Sequence, residues 1–77
     1  MKIEIERYLN LTGYKENAID IYDQFNCIIS DVKAGEDLLL MADNYPDFWF
    51  YRGGSHIAVH QVIDGKPSNK RLLLITF

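Results

Sequence analysis

The segment KENAIDIYDQFNCIISDVKAG, residues 15–35, has the clearest periodic pattern in this chain. Its apolar side chains recur at helical spacing, which gathers them within an arc of about 120° on one face of an α-helix. The members of this apolar stripe are Ala18, Ile21, Tyr22, Phe25, Ile28, Ile29 and Val32. Gly35 follows, where a left-handed glycine commonly ends a helix. We therefore expect a helix over 15–34 that packs one face on a core.

Short apolar runs on both sides of this helix predict strands. Residues 2–8 alternate, with Ile3 and Ile5 on one side, and four later runs cover 38–42, 48–52, 56–63 and 71–77. Gly53-Gly54 predicts a tight hairpin with positive φ angles, and 64–69 predicts a longer turn. Such short connections favour antiparallel neighbours. We expect an α+β fold in the order β-α-β-β-β-β, with one amphipathic helix packed on a small antiparallel sheet.

Length and composition limit the class of protein. Seventy-seven residues form a single small globular domain, residues 1–77, whose 48% hydrophobic content is that of an ordinary folded protein. A single cysteine cannot form an internal disulfide, and no apolar run approaches the ~20 residues that span a bilayer. We therefore expect a cytoplasmic protein without a membrane partner.

Charge is divided along the chain. Residues 1–47 hold ten carboxylates and four bases, whereas residues 48–77 hold one carboxylate and four bases. Four of the carboxylates form a stripe opposite the apolar one, here called the acidic helix face: Glu16, Asp20, Asp23 and Asp31. Such a stripe resembles a run of phosphates and would fit the basic groove of a protein that handles nucleic acid. The alternative interpretation is an ordinary solvated helix face.

Histidine and cysteine do not form a recognisable catalytic or metal motif. On a strand, His56 and His60 lie about 13 Å apart, too far for one metal ion to bind both rings. Cys27 lies among the carboxylates of the acidic helix face, which disfavour the thiolate. We therefore expect no metal, no cofactor and an unreactive cysteine.

The last thirty positions hold five of the ten aromatic residues and four of the eight bases, with only one carboxylate. The run FWFYR, residues 48–52, puts Trp49 and Tyr51 on one face of a strand and Phe48 and Phe50 on the other. An exposed aromatic face beside cations is how several small sheet proteins bind single strands. The residues expected in this alternative site are Trp49, Tyr51, Arg52, His60, Lys70 and Arg71. The competing interpretation is that all these rings pack in the core.

Three function classes follow, and none is enzymatic. Because the chain is acidic overall, with a net charge of −3, we place first a protein-binding inhibitor of a basic partner, of the immunity, antitoxin or phage anti-defence kind. The second is a domain that binds single-stranded nucleic acid with its C-terminal sheet. The third is a homodimeric scaffold that pairs through residues 72–77, if they form an edge strand.

Overall fold

The computed structural model describes the backbone of residues 1–5 and 18–77 and the side chains of residues 1–5 and 22–77. Its elements, in chain order, are β1 (Lys2–Ile5), α1 (Ala18–Lys33), α2 (Leu38–Asn44), β2 (Phe48–Arg52), β3 (His56–Ile63) and β4 (Lys66–Thr76). The predicted α+β class and antiparallel sheet are confirmed. Residues 6–17, with the ends of the first predicted strand and the start of the predicted helix, lie outside the described residues.

The four strands form one antiparallel sheet in the spatial order β1-β4-β3-β2. β4 is therefore central, between β1 and β3, which contradicts the edge position considered for residues 72–77. β2 follows β3 in a regular register from Phe48 opposite Gln61 to Arg52 opposite Ile57. The edges of the described sheet are β1 and β2.

Helix α1 covers one face of this sheet with the later part of the predicted apolar stripe; Tyr22 is 39% exposed, and the side chains of Ala18 and Ile21 lie outside the described residues. Phe25, Ile28, Ile29 and Val32 are buried, and they pack in one core with strand residues such as Leu73. The helix ends as predicted, with Gly35 at a φ of 79°. The Gly35 and Glu36 amides donate to the carbonyls of Val32 and Asp31, at 3.1 and 3.0 Å, the bond pattern of a glycine-terminated helix.

Residues 38–42, expected as a strand, instead belong to the helix α2. The Asp37 side chain accepts a 2.7 Å hydrogen bond from the Leu39 amide and so caps the first turn. The run LLLMADN has no β-branched residue, and its leucines, methionine and alanine are strong helix formers. Met41 from this helix is buried in the core. The order is therefore β-α-α-β-β-β, with two helices on one sheet face.

Both hairpins differ from the prediction. Asp64 and Gly65 have φ angles of 52° and 75°, so the β3–β4 connection is a two-residue turn and β4 starts at Lys66. The residues with positive φ do not include Gly53 or Gly54. The β2–β3 hairpin instead closes with a 2.8 Å bond from the Gly53 amide to the His56 carbonyl. In the described part of the chain, neither helix is long and apolar enough to cross a membrane.

Candidate functional site

Strand β2 separates its aromatic residues between the two faces of the sheet. Phe48 is buried and Phe50 is half-buried beneath the helices. Trp49 and Tyr51 point the other way and keep 45% and 44% of their surface exposed. We call the face away from the helices the open face. By register and alternation, its members on β2, β3 and β4 include Trp49, Tyr51, His56, Ala58, His60, Arg71, Leu74 and Thr76.

Three rings form a continuous row on the open face. The centroids of Trp49 and Tyr51 lie 6.4 Å apart, and those of Tyr51 and His60 lie 5.0 Å apart with the rings nearly perpendicular. Trp49 also lies opposite His60 in the pairing of β2 with β3, so the row of rings joins these two strands. Contacts between the rings hold the two exposed aromatics in a defined orientation without burying them.

A hydrogen bond to the backbone orients the His60 ring. Nδ1 of His60 lies 2.9 Å from the Ser68 carbonyl oxygen. Because a carbonyl oxygen only accepts, Nδ1 must carry the proton, which leaves Nε2 as the second polar atom of the ring. In its neutral form the imidazole therefore has an acceptor at Nε2, and in its protonated form a donor.

Beside the ring row lies an open groove of about 580 Å³. It is lined by His56, Ala58, His60, Asn69, Lys70, Arg71 and Leu74. Ala58 and Leu74 are paired across β3 and β4, and two histidines, two cations and Asn69 complete the lining. The groove has the size of a small-ligand site, and its polar groups are suited to anions.

A β-bulge brings Arg71 into this groove. Val59 is paired with Leu73, but the next residue, His60, is paired with Arg71, so Leu72 is an extra residue in β4. Leu72 and Leu73 are both buried, and the strand regains its alternation with Arg71 on the open face beside His60. Sequence alternation alone would have placed residue 71 on the other face.

The first strand adds a charged pair to this face. Lys2 and Glu4 form an ion pair of 2.9 Å, and Glu4 lies opposite Leu74. A hydrogen bond from Lys2, its positive charge and that of Arg71 lower the pKa of the Glu4 carboxyl. Glu4 therefore stays ionised at neutral pH, and its charge offsets part of that of the nearby cations.

Arg52 is separated from the other predicted members of the aromatic and basic site. It alternates with Tyr51, so it shares the sheet face of Phe50, and it is exposed at the end of β2. Its guanidinium carbon lies 5.2 Å from the centroid of the Phe77 ring, a cation–π contact. Trp49, Tyr51, His60, Lys70 and Arg71 are brought together, and Arg52 is not part of their surface.

The acidic helix face is described only in part. Asp23 and Cys27 are exposed on α1. Asp31 is partly buried, and its Oδ2 accepts a 2.7 Å hydrogen bond from the Tyr45 hydroxyl. Burial, with this bond and the negative charge of Asp31, raises the pKa of Tyr45 to about 12. Asp31 therefore links α1 to the segment after α2, while Glu16 and the Asp20 side chain lie outside the described residues.

The histidines lie on a strand, as the sequence predicted, and both face the groove. Among the described residues, no group of three or more His, Cys, Asp or Glu side chains is placed to hold a metal ion.

Sequence reasoning missed several residues of this site. Ser68 orients His60, and Ala58, Asn69 and Leu74 line the groove. Residues 64–69 were expected as a turn, so Ser68 and Asn69 were not placed on a strand. The Asp-Gly pair at 64 and 65 was the available signal, since it is typical of a two-residue hairpin.

Comparison with known proteins gives no relative from which a role could be transferred: no protein-family model, curated protein or solved structure matches this chain significantly.

Proposed function

We propose that this protein binds single-stranded nucleic acid on the open face of its sheet. One observation carries the proposal: Trp49 and Tyr51, each nearly half exposed, stand side by side on the face away from the helices, next to a groove that Lys70 and Arg71 line. In this role the two rings stack on bases, and the two cations bind phosphates. His60 offers a polar atom between them.

Single strands fit this surface better than duplexes. Base–aromatic stacking contributes about 1–3 kcal/mol per base and depends little on sequence, because every base has a π-face. In a duplex those faces are already stacked on neighbouring bases, and the rings of the open face would have nothing to contact. Trp49 and Tyr51 therefore provide positions for about two bases.

The net charge of −3 limits the electrostatic part of this binding. Two cations beside the rings neutralise about two phosphates, so the logarithm of the association constant should fall with the logarithm of salt concentration with a slope of about −1.4. We expect weak, stacking-dominated binding that survives moderate salt. Most of the carboxylates occur in residues 1–47, whereas the aromatic surface comes from residues 48–77.

Trp49 fluorescence tests the proposal directly. Titration with a short oligothymidylate or oligouridylate should quench the single tryptophan, and a hairpin duplex of equal length should not. Tyr51→Leu should weaken binding by about fivefold or more, the loss of one stacked base. Tyr22→Leu is the matched control, because Tyr22 is a similarly exposed ring, at 39%, on α1.

A second pair of matched variants tests the role of the cations. Lys70→Ala should weaken binding and reduce the salt slope by about 0.7, the contribution of one phosphate contact to a single strand. Lys33→Ala removes the same charge from an exposed position in the last turn of α1 and should leave the slope unchanged. If both variants change binding equally, a general charge effect would explain the result, and the groove would have no part in it.

A second candidate function is the inhibition of a basic protein by the acidic helix face, without catalysis. The observation that favours it is the orientation of α1, which buries Phe25 and Ile28 and leaves Asp23 exposed. Asp23→Lys should then slow association with a basic partner captured from nuclease-treated lysate, while Glu36→Lys, in the turn after α1, should not. Both proposals place the protein in the cytoplasm, in agreement with its single cysteine.

A further inference from the structure

Strand β2 is an edge of the described sheet. Its backbone N–H and C=O groups point towards β3 at one residue and away from β3 at the next. The Val62 amide donates to the Asp47 carbonyl, at 2.9 Å, and the Gly53 amide donates to the His56 carbonyl, at 2.8 Å. Because the register between these two bonds is regular, the backbone groups of β2 that bond to β3 are those of its odd-numbered residues. The backbone N–H and C=O groups of Phe50 and Arg52 therefore point away from β3, along the outer edge.

Little in the sequence of β2 protects this edge. Natural edge strands are usually blunted by proline, by a bulge or by a charge in mid-strand. The sequence FWFYR has no proline, its register with β3 has no irregularity, and its single charge, Arg52, is at the end. Aromatic residues also favour strand pairing.

We propose that a second copy of this chain pairs with β2 in antiparallel fashion, about a two-fold axis that passes beside Phe50. Each Phe50 would then exchange both backbone hydrogen bonds with Phe50 of the second copy. Residues opposite each other in such a pair share a face, so Trp49 of each chain would lie opposite Tyr51 of the other, on the open face.

Self-complementarity favours a second copy over an unrelated strand. With Phe50 on the axis, Phe50 faces Phe50 and Trp49 faces Tyr51, while Arg52 of each copy faces Phe48 of the other. The two Arg52 side chains lie at opposite ends of the pairing, about 13 Å apart along the strands, so their charges do not face each other. A small single-core domain also gains most from such association.

Pairing would join the two open faces into one. The exposed rings, Trp49 and Tyr51 of each chain, would form one cluster across the two-fold axis, with a groove on each side. The inference goes beyond the proposed function and does not depend on it, because self-association can be measured without any nucleic acid.

Two measurements on the intact chain test this pairing. Sedimentation equilibrium should show a mass rising with concentration from 9.0 kDa towards twice that value. Amide exchange by NMR should show the Phe50 N–H protected at high concentration and losing protection on dilution, while the Tyr51 N–H, bonded to β3, stays protected throughout. A mass that stays at 9.0 kDa, or Phe50 protection independent of concentration, would overturn the proposal.

A pair of substitutions locates the interface. Arg52→Pro removes an outward N–H without touching the β2–β3 ladder, and it should weaken self-association about tenfold or more, since one donor is lost from each copy. Arg52→Thr removes the same charge but keeps the amide, and it should self-associate like the wild type. If both variants weaken association equally, the charge and not the strand edge is responsible, and the pairing is refuted. The exchange experiment needs no substitution and so decides the matter even if Arg52→Pro does not fold.

Discussion

Replacing Tyr45 with phenylalanine should reduce stability at neutral pH and increase it at high pH. The Tyr45 hydroxyl donates a 2.7 Å hydrogen bond to the partly buried Asp31 carboxylate, and burial together with this carboxylate raises the pKa of Tyr45 to about 12. Phenylalanine keeps the ring, which lies 6.4 Å from that of Phe50, and removes the hydroxyl. The variant therefore separates the hydrogen bond from the packing.

The two effects have opposite signs. Below pH 10 the lost hydrogen bond should cost about 1 kcal/mol. Because the folded-state pKa is raised, the stability that protonated Tyr45 contributes is complete below about pH 10 and is lost as pH rises towards about 12. At about 1.4 kcal/mol per pKa unit the full loss is at most about 3 kcal/mol, and less for a partly exposed ring. Wild type and variant should therefore be equally stable at about pH 11.

Urea unfolding, monitored by circular dichroism at a series of pH values from 8 to about 11.5, measures both the loss of stability at neutral pH and the gain at high pH. Asp31→Asn should lower the pKa of Tyr45 and flatten the fall in stability above about pH 10. Tyr22→Phe is the control for removing any phenol from the chain. A constant difference between wild type and Tyr45→Phe across the series would refute the assigned bond, since an exposed tyrosine without this partner gives no crossing.

Two further substitutions test local features of the fold. Asp37→Ala removes the cap that accepts from the Leu39 amide, so urea unfolding should show a loss of about 1 kcal/mol. Gly53→Ala should alter the groove, because a Cβ at Gly53 would collide with the His56 ring and displace it. Gly54→Ala is its matched control, since a Cβ there meets no atom within 4 Å. In NMR spectra the His56 ring signals should shift in Gly53→Ala and not in Gly54→Ala. Equal shifts in both variants would contradict this prediction.

Sequence periodicity predicted the elements with a single buried face. Phe25, Ile28 and Val32 repeat at helical spacing, and the structure buries all three. The strands 48–52 and 56–63 begin and end where their alternation and flanking turns predicted. A two-layer fold imposes this pattern directly, because each element has one face on the core and one face towards solvent.

Residues 38–42 were misassigned for a physical reason. A short uninterrupted apolar run has no period, so it fits a strand and a helix equally well. The missing evidence was local: Asp37 caps the helix, and the three leucines that follow, with Met41, lack the β-branching that favours strands.

Strand alternation predicted part of the candidate site. Alternation correctly put Trp49 and Tyr51 on one face and Phe48 on the other, but it could not tell which face is buried. It also could not predict that Leu72 is an extra residue in a β-bulge, which turns Arg71 towards His60. That arrangement depends on pairing between strands, which leaves no mark in a single sequence.

Binding of single strands by stacking on the open face of the sheet can be measured by Trp49 fluorescence in the wild type and in Tyr51→Leu. We expect an oligothymidylate to quench the wild-type protein in a saturable way, with a salt slope of about −1.4, and to bind Tyr51→Leu at least about fivefold more weakly. Tyr22→Leu should behave as the wild type. Absence of quenching at low salt, or equal weakening in both tyrosine variants, would contradict the account.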